Sequence, residues 1–334
     1  MDITKLNNNT SKDLFPTVIE YQPYSICNAN CSYCPVGSLS RVKKQKGKEI
    51  SKEVFKMIIE QTKGRLLERI SPHLNCEPLL CKNLPNQIRQ WKESHPEAKV
   101  EFSTNAVFLT EKYYGQLVES GLDEMYIHFM GISKEYHEGA MQTNYDRVKK
   151  NIELVLNFKK QHNDSLKLSI FSHRLRGASL RQWYEFAQEW REKGLNVTLG
   201  PLWNRAGNCG EKFEEKSMGL RNNHDSPCAK PFRQIAIECD GNVILCSLDY
   251  DYKNKFGNIV EQTIEDIWNG ELMCHYRKGH NSKSLKELHL CKDCIRGGCY
   301  LLDESILTKI VNYEIPEGSS KEAMLNKIDA LDLF

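Results

Sequence analysis

The sequence predicts an α/β protein built on a parallel sheet, followed by a smaller cysteine-rich unit. Three observations predict it. Six strand-like runs up to Leu199 alternate with helix-patterned segments, an arrangement that favours parallel strands joined by right-handed crossovers. Beyond Cys209 the periodicity changes to two apolar runs joined through Asp240-Gly241, a strong hairpin-turn signal. The thirteen cysteines are divided in the same way: three lie in the first loop, two are Cys76 and Cys81, and the other eight run from Cys209 onward.

Taken in order, Thr17-Val18-Ile19-Glu20-Tyr21-Gln22 reads as the first strand. The segment from Ile50 to Ile59 has helical spacing, with Ser51 as N-cap. Leu66 to Leu74 reads as the second strand, Leu84 to Glu93 as a helix, and Lys99 to Asn105 as the third strand. A helix from Thr110 to Ser120, a strand from Glu124 to Met130, a helix from Tyr145 to Lys160 and a strand from Leu166 to Ser172 continue the pattern. Ser179 opens and Gly194 closes the last helix before the sixth strand, Asn196 to Leu199. In the second unit Phe232 to Glu238 and Asn242 to Leu245 form the hairpin, and Ile264 to Trp268 reads as a helix. The segment from Leu301 to Phe334 is amphipathic and helical in pattern, which predicts packing rather than chemistry.

A chain of 334 residues can bury a full core and is long enough for one large domain and a small one. The formal net charge is +2 with 27% charged residues, and no basic stripe carries interleaved aromatics. No nucleic-acid partner is expected. Met1 to Asp13 is polar, and no segment approaches the roughly 18 apolar residues that a membrane span needs. We therefore expect a cytoplasmic protein with no membrane partner. In that compartment thiols stay reduced, so metal ligation accounts for the cysteines better than disulfides do.

Cys27-Asn28-Ala29-Asn30-Cys31-Ser32-Tyr33-Cys34 places three thiols in C-x3-C-x2-C spacing directly after the first strand. Closed zinc and electron-transfer iron-sulfur sites use four protein ligands, so three cysteines leave one position open for a ligand or substrate. Taken alone, the spacing also suits a zinc knuckle or unrelated buried thiols. With Tyr33 before the last cysteine, it resembles the signature of the radical SAM superfamily. The resemblance implies that Cys27, Cys31 and Cys34 each hold one iron of a 4Fe-4S cluster, whose fourth iron is chelated by S-adenosyl-L-methionine. It further implies a flavodoxin- or ferredoxin-type electron donor, a 5'-deoxyadenosyl radical, and a partial (β/α)6 TIM-type barrel.

Asn75-Cys76-Glu77-Pro78 is similar to the family's Gly-Gly-Glu-Pro motif, in which the glutamate receives the methionine ammonium. A carboxylate suits that role as an acceptor for a charged amine. Both glycines are replaced here, which puts the backbone path in doubt, and a capping acid before Pro78 is the structural alternative for Glu77. Ser103-Thr104-Asn105-Ala106 resembles the Thr-Asn-Gly turn with alanine for glycine, which makes Ser103 and Asn105 candidates for cofactor contact. His128, where many relatives have serine, is a candidate for substrate or cofactor contact, with a satisfied core histidine as the alternative. Ser172-His173-Arg174 and Trp203-Asn204-Arg205-Ala206-Gly207-Asn208 follow the fifth and sixth strands. Of these, Arg205 is the candidate group that hydrogen-bonds or deprotonates a substrate hydroxyl, whereas Arg174 reads as a solvated loop charge.

The later cysteines Cys228, Cys246, Cys291 and Cys294 have the spacing C-x17-C-x44-C-x2-C. Four thiolates so placed accept either zinc or a 4Fe-4S cluster. With the Asp-Gly turn, the Gly257-Asn258 step and the Ile267-Trp268 helix, the set resembles the SPASM/Twitch subgroup, with one auxiliary 4Fe-4S cluster. The expected divisions are a radical SAM partial barrel at 1–205, a small Twitch/SPASM-like domain of β-hairpin plus helix at 206–300, and a helical tail at 301–334. Cys299 is a candidate fifth ligand, Cys239 reads as structural or semi-exposed, and Cys274 has no assigned role. Any unligated cysteine facing the cavity is a candidate hydrogen-atom donor.

Only 26 residues precede Cys27, too few for the peptide-recognition domain that many SPASM relatives carry. A small-molecule substrate, such as a cyclitol, amino sugar or nucleoside sugar, is therefore expected. With an auxiliary cluster as electron acceptor, the reaction expected is dehydrogenation. Open alternatives are redox-neutral epimerisation, decarboxylation or carbon-carbon bond formation on a sugar, peptide maturation, and a non-enzymatic metal-binding module.

Overall fold

The computed structural model describes residues 15–38, 47–202, 204–208, 228–252, 254–294, 302–303 and 318–331. Six strands, β1 (Val18–Tyr21), β2 (Arg69–Ser71), β3 (Lys99–Thr104), β4 (Glu124–His128), β5 (Lys167–Arg174) and β6 (Asn196–Pro201), pair in sequential order and all in parallel. Between them run α1 (Lys52–Thr62), α2 (Leu84–Ser94), α3 (Glu111–Glu119), α4 (Lys134–Met141), α5 (Tyr145–His162) and α6 (Leu180–Glu192). This is the parallel sheet that the alternation predicts and the partial barrel that the resemblance implies.

Local chemistry places the helix starts. Ser51, Thr110, Asn144 and Ser179 each accept a hydrogen bond from a backbone N–H in the first turn, and Ser179 forms a reciprocal box with Gln182. Each cap contributes about 1 kcal/mol. Along β1 the side chains alternate: Ile19 and Tyr21 join the core under the helices, where the Tyr21 ring meets Phe55 and Trp91, while Glu20 takes the opposite, inner face. The strand β2 is shorter than the run from Leu66 to Leu74 suggested, and the chain after Ser71 turns out of the sheet to build the site.

A helix and the place of the hairpin were not anticipated. Helix α4 fills the stretch after β4, capped by Ser133 and closed by Gln142 in the left-handed conformation at φ 52°. The hairpin of β7 (Gln234–Ile237) and β8 (Asn242–Ile244) is part of the main sheet: β7 pairs in parallel with β1, on the edge opposite β2. A further strand, β9 (Lys255–Asn258), pairs with β8, and β10 (Leu302–Asp303) pairs with β6, both antiparallel. A short helix α7 (Lys230–Arg233) leads into β7, and α8 (Ile264–Asn269) and α9 (Glu271–Asn281) follow β9. The last described element, α10 (Lys321–Leu331), packs on α6, with Leu325 and Ile328 buried and Arg181 paired to Asp329. No helix among the described residues is long and apolar enough to cross a membrane.

Candidate active site

The first cysteine loop leaves the carboxyl end of β1 and is held from two sides. On one side Glu77 N–H donates to Ile26 O at 3.2 Å. On the other, α4 supplies its C-terminal turn. Ser32 N–H donates to Ala140 O at 2.8 Å, and the Asn30 amide donates to Gln142 Oε1 at 3.0 Å. Tyr33 OH lies 2.8 Å from Met141 Sδ, and Cys31 Sγ lies 3.7 Å from the same sulfur. The Tyr33 ring packs edge-on against His173, with centroids 5.0 Å apart.

Cys27, Cys31 and Cys34 lie close enough to repel one another as thiolates. Burial, reinforced by that repulsion, pushes the Cys27 thiol well up and Cys31 to about 12. A buried trio of this kind needs a cationic centre to hold it deprotonated. Every cysteine among the described residues is a free thiol.

Glu77 is buried and accepts three hydrogen bonds: from Leu79 N–H at 3.1 Å, Thr104 Oγ1 at 2.5 Å and Asn105 N–H at 2.9 Å. The capping alternative is thus part of its role, since it caps the turn Pro78–Leu80. It also crosses to the end of β3. A carboxylate has about four acceptor positions, so one remains for a further donor. Burial raises its carboxyl to about 7 despite these bonds, so a cation there would stabilise the charged form.

Of the three replaced glycines, two keep a backbone that favours glycine. Asn75 has φ 47° and Ala106 has φ 57°, both left-handed. Asn75 Nδ2 is buried with no hydrogen-bond partner among the described residues, an orphaned donor two residues from Glu77. Asn105 donates from its amide to Asn28 Oδ1 at 3.0 Å and lies 3.8 Å from Cys27 Sγ, so β3 and the cysteine loop touch directly. Ser103 is half-buried on β3, on the same face as Asn105.

His128, at the end of β4, is half-buried. Its ring meets Phe171 at 5.2 Å and His173 at 5.8 Å. Burial, with the nearby Arg205 charge and His73, lowers His128 to about 3 and keeps it neutral. The Arg205 charge also acts on Cys31 and Tyr33, so this guanidinium lies among the first cysteine loop and the inner face of β4. Its loop is tied to the second cysteine set. Asn204 Nδ2 donates to Asp293 O at 2.5 Å, and Asn208 Nδ2 donates to Leu248 O at 3.1 Å.

In the second set, burial first, and then the charges of Cys246, Cys228 and Cys294, push the Cys291 thiol up. Burial likewise raises Cys246 to about 11. The four thiols are thus mutual neighbours, and Cys228 N–H is anchored on His280 Nδ1 at 3.2 Å. Among the described residues no three His, Cys, Asp or Glu side chains converge as ligands of one ion. A four-iron cluster takes one thiolate on each iron, a number this set of four supplies.

Cys239 is buried at the hairpin, and Cys274 lies on α9 with Sγ 3.5 Å from Asn269 O. Cys209, Cys299, Trp203 and the Arg174 side chain lie outside the described residues. Met141 escaped the sequence reading, and Thr104 and His173, quoted there within motifs, had no role assigned. For Met141 the available signal was Ser133 with Glu135 in the following turn, which marks a helix start. Thr104 and His173 have only their places at strand ends.

Comparison with known proteins agrees with this geometry. Residues 21–166 match the radical SAM superfamily, and residues 228–295 match SPASM, an iron-sulfur cluster-binding domain. The chain thus carries a radical SAM domain and a SPASM domain, and it is a radical SAM enzyme. Those families imply a 4Fe-4S cluster with S-adenosylmethionine in the barrel and auxiliary iron-sulfur in the C-terminal part.

Among particular proteins, the S-adenosyl-L-methionine-dependent 2-deoxy-scyllo-inosamine dehydrogenase of Niallia circulans is 28% identical over 284 residues, 83% of this chain and 92% of that one. The crystal structure of BtrN in complex with AdoMet and 2-DOIA matches with TM-score 0.59 at 26% identity, covering 87% of this chain and 99% of that chain. Streptococcus suis SuiB bound to precursor peptide SuiA matches with TM-score 0.62 at 16% identity, covering 89% and 74%, a likeness of fold.

Proposed function

We propose that the chain is an S-adenosylmethionine-dependent dehydrogenase that oxidises a secondary alcohol on a small polar ring of the aminocyclitol or amino-sugar class. The observation that carries this reading is the likeness to an aminocyclitol dehydrogenase over 83% of the chain. Cys27, Cys31 and Cys34 hold the first cluster, and Cys228, Cys246, Cys291 and Cys294 hold the second. Glu77 takes the methionine ammonium on its remaining acceptor position. Asn75 Nδ2 offers a donor beside it, Asn105 and Ser103 line the nucleoside side, and Tyr33 braces the loop against His173.

When bound, these groups supply a 5'-deoxyadenosyl radical that removes the carbinol hydrogen atom, and an acceptor for the electron left behind. The chain's own residues manage the hydroxyl. Arg205 orients the oxygen and stabilises negative charge developing on it, since a guanidinium does not give up its proton at neutral pH. His128 accepts the hydroxyl hydrogen bond, and its low proton affinity passes the released proton on to solvent rather than storing it.

The test is iron content, 5'-deoxyadenosine and product in anaerobically reconstituted protein, with ring alcohols deuterated at the carbinol carbon. About eight irons are expected in the wild-type chain and about four in the Cys27/Cys31/Cys34 triple alanine variant. Deuterium should pass into 5'-deoxyadenosine as a ketone forms. An isomerised product with no net oxidation would replace dehydrogenation by redox-neutral chemistry.

A further inference from the structure

Lys230 connects the inner face of the barrel to the second cysteine set. It opens the short helix α7, two residues after Cys228, and its side chain is 15% exposed. Its ammonium donates to Ser247 Oγ at 3.2 Å, and Ser247 directly follows Cys246. The same Nζ lies 4.0 Å from Glu20 Oε2. Glu20 is buried on the inner face of β1, where Gln234 Nε2 donates to its Oε2 and His73 Nε2 lies 3.8 Å from its Oε1. One cation therefore stands between a buried barrel carboxylate and the loop of the second set, because β7 pairs directly with β1.

We propose that Lys230 is a positioning residue that sets the readiness of the second centre to accept an electron, with Glu20 acting on it in the opposite sense. The proposal rests on reading Cys228, Cys246, Cys291 and Cys294 as iron-sulfur ligands. Reduction adds one negative charge to such a centre. A fixed positive charge nearby in a poorly solvated site stabilises the reduced form, and a fixed negative charge opposes it. Electron acceptance at the second site is thereby coupled to the charge on the barrel's inner face.

The experiment uses the full chain, reconstituted anaerobically with iron and sulfide, and reads the midpoint potential of each cluster by a redox titration followed by electron paramagnetic resonance. Lys230→Met should lower the second cluster's potential by about 59 mV, a tenfold change for one electron. Lys230→Arg should restore it. Glu20→Gln should shift it upward, and the first cluster should not move with any of the three.

A second-cluster potential unchanged in both Lys230→Met and Glu20→Gln overturns the proposal, as does an equal shift of both clusters. Should Lys230→Met fail to retain its iron, the upward shift in Glu20→Gln decides alone. Wild-type protein that loads only the first cluster overturns the reading of the second set itself, an outcome distinct from a loaded cluster indifferent to Lys230.

Discussion

Glu77 shows how one side chain performs two tasks. Its three protein donors fix the carboxylate between the turn at Pro78 and the end of β3, while burial keeps it receptive to a cation. Hydrogen bonds to a charged group contribute about 1.5–3 kcal/mol, so Glu77→Gln should weaken S-adenosylmethionine binding roughly tenfold to a hundredfold, with iron content unchanged. Equilibrium binding to the reconstituted protein measures this. Ala106 makes the complementary case. Its left-handed backbone costs an L-residue about 1–2 kcal/mol, so Ala106→Gly should leave stability within about 1 kcal/mol of wild type or improve it. Ala106→Val, β-branched at a fully buried site, should lower stability by about 2 kcal/mol or more in denaturant unfolding.

At the scale of elements, α4 is the piece that turns a cysteine loop into a site. Its last turn carries Ala140, Met141 and Gln142 to the loop, and its middle is secured by His137. That ring is fully buried, accepts from Met130 N–H at 3.3 Å through Nδ1, and lies 2.9 Å from Thr143 Oγ1 through Nε2. Burial lowers its pKa to about 4, against about 6.5 in an unfolded chain. Between these values the unfolded state binds the proton and the folded state does not, so stability falls as pH drops from about 6.5 to about 4. The His137 contribution to that loss is about 3 kcal/mol. Comparing the pH dependence of unfolding in wild type and His137→Gln isolates it, with the flatter profile expected in the variant. Glu77, whose raised pKa works in the opposite sense, is common to both.

Across the whole molecule, one sheet carries the first cysteine loop and the hairpin that Cys228 and Cys246 flank. The first loop leaves β1, and β7, on the other edge of β1, is framed by Cys228 and Cys246. The two sites are therefore held through a shared strand rather than through a flexible joint. Helix α10 closes the far side by packing on α6 with Ile328 fully buried, so Ile328→Ala should cost about 2–5 kcal/mol in equilibrium unfolding.

The sequence by itself determined the alternation of strands and helices, the helix starts and both cysteine sets, because these depend on periodicity, capping and spacing along the chain. It also placed Asn105 and His128 at strand ends, whereas Glu77 lies beyond β2, which ends at Ser71. Only the tertiary structure decided that Asn75 and Ala106 adopt the left-handed backbone, that α4 grips Cys31 and Tyr33, and that the His128 ring meets Phe171 and His173. The same holds for Lys230, which lies between Glu20 and Ser247. These depend on contacts between residues far apart in the chain, such as Tyr33 with Met141 or Glu20 with Lys230, which no local pattern encodes.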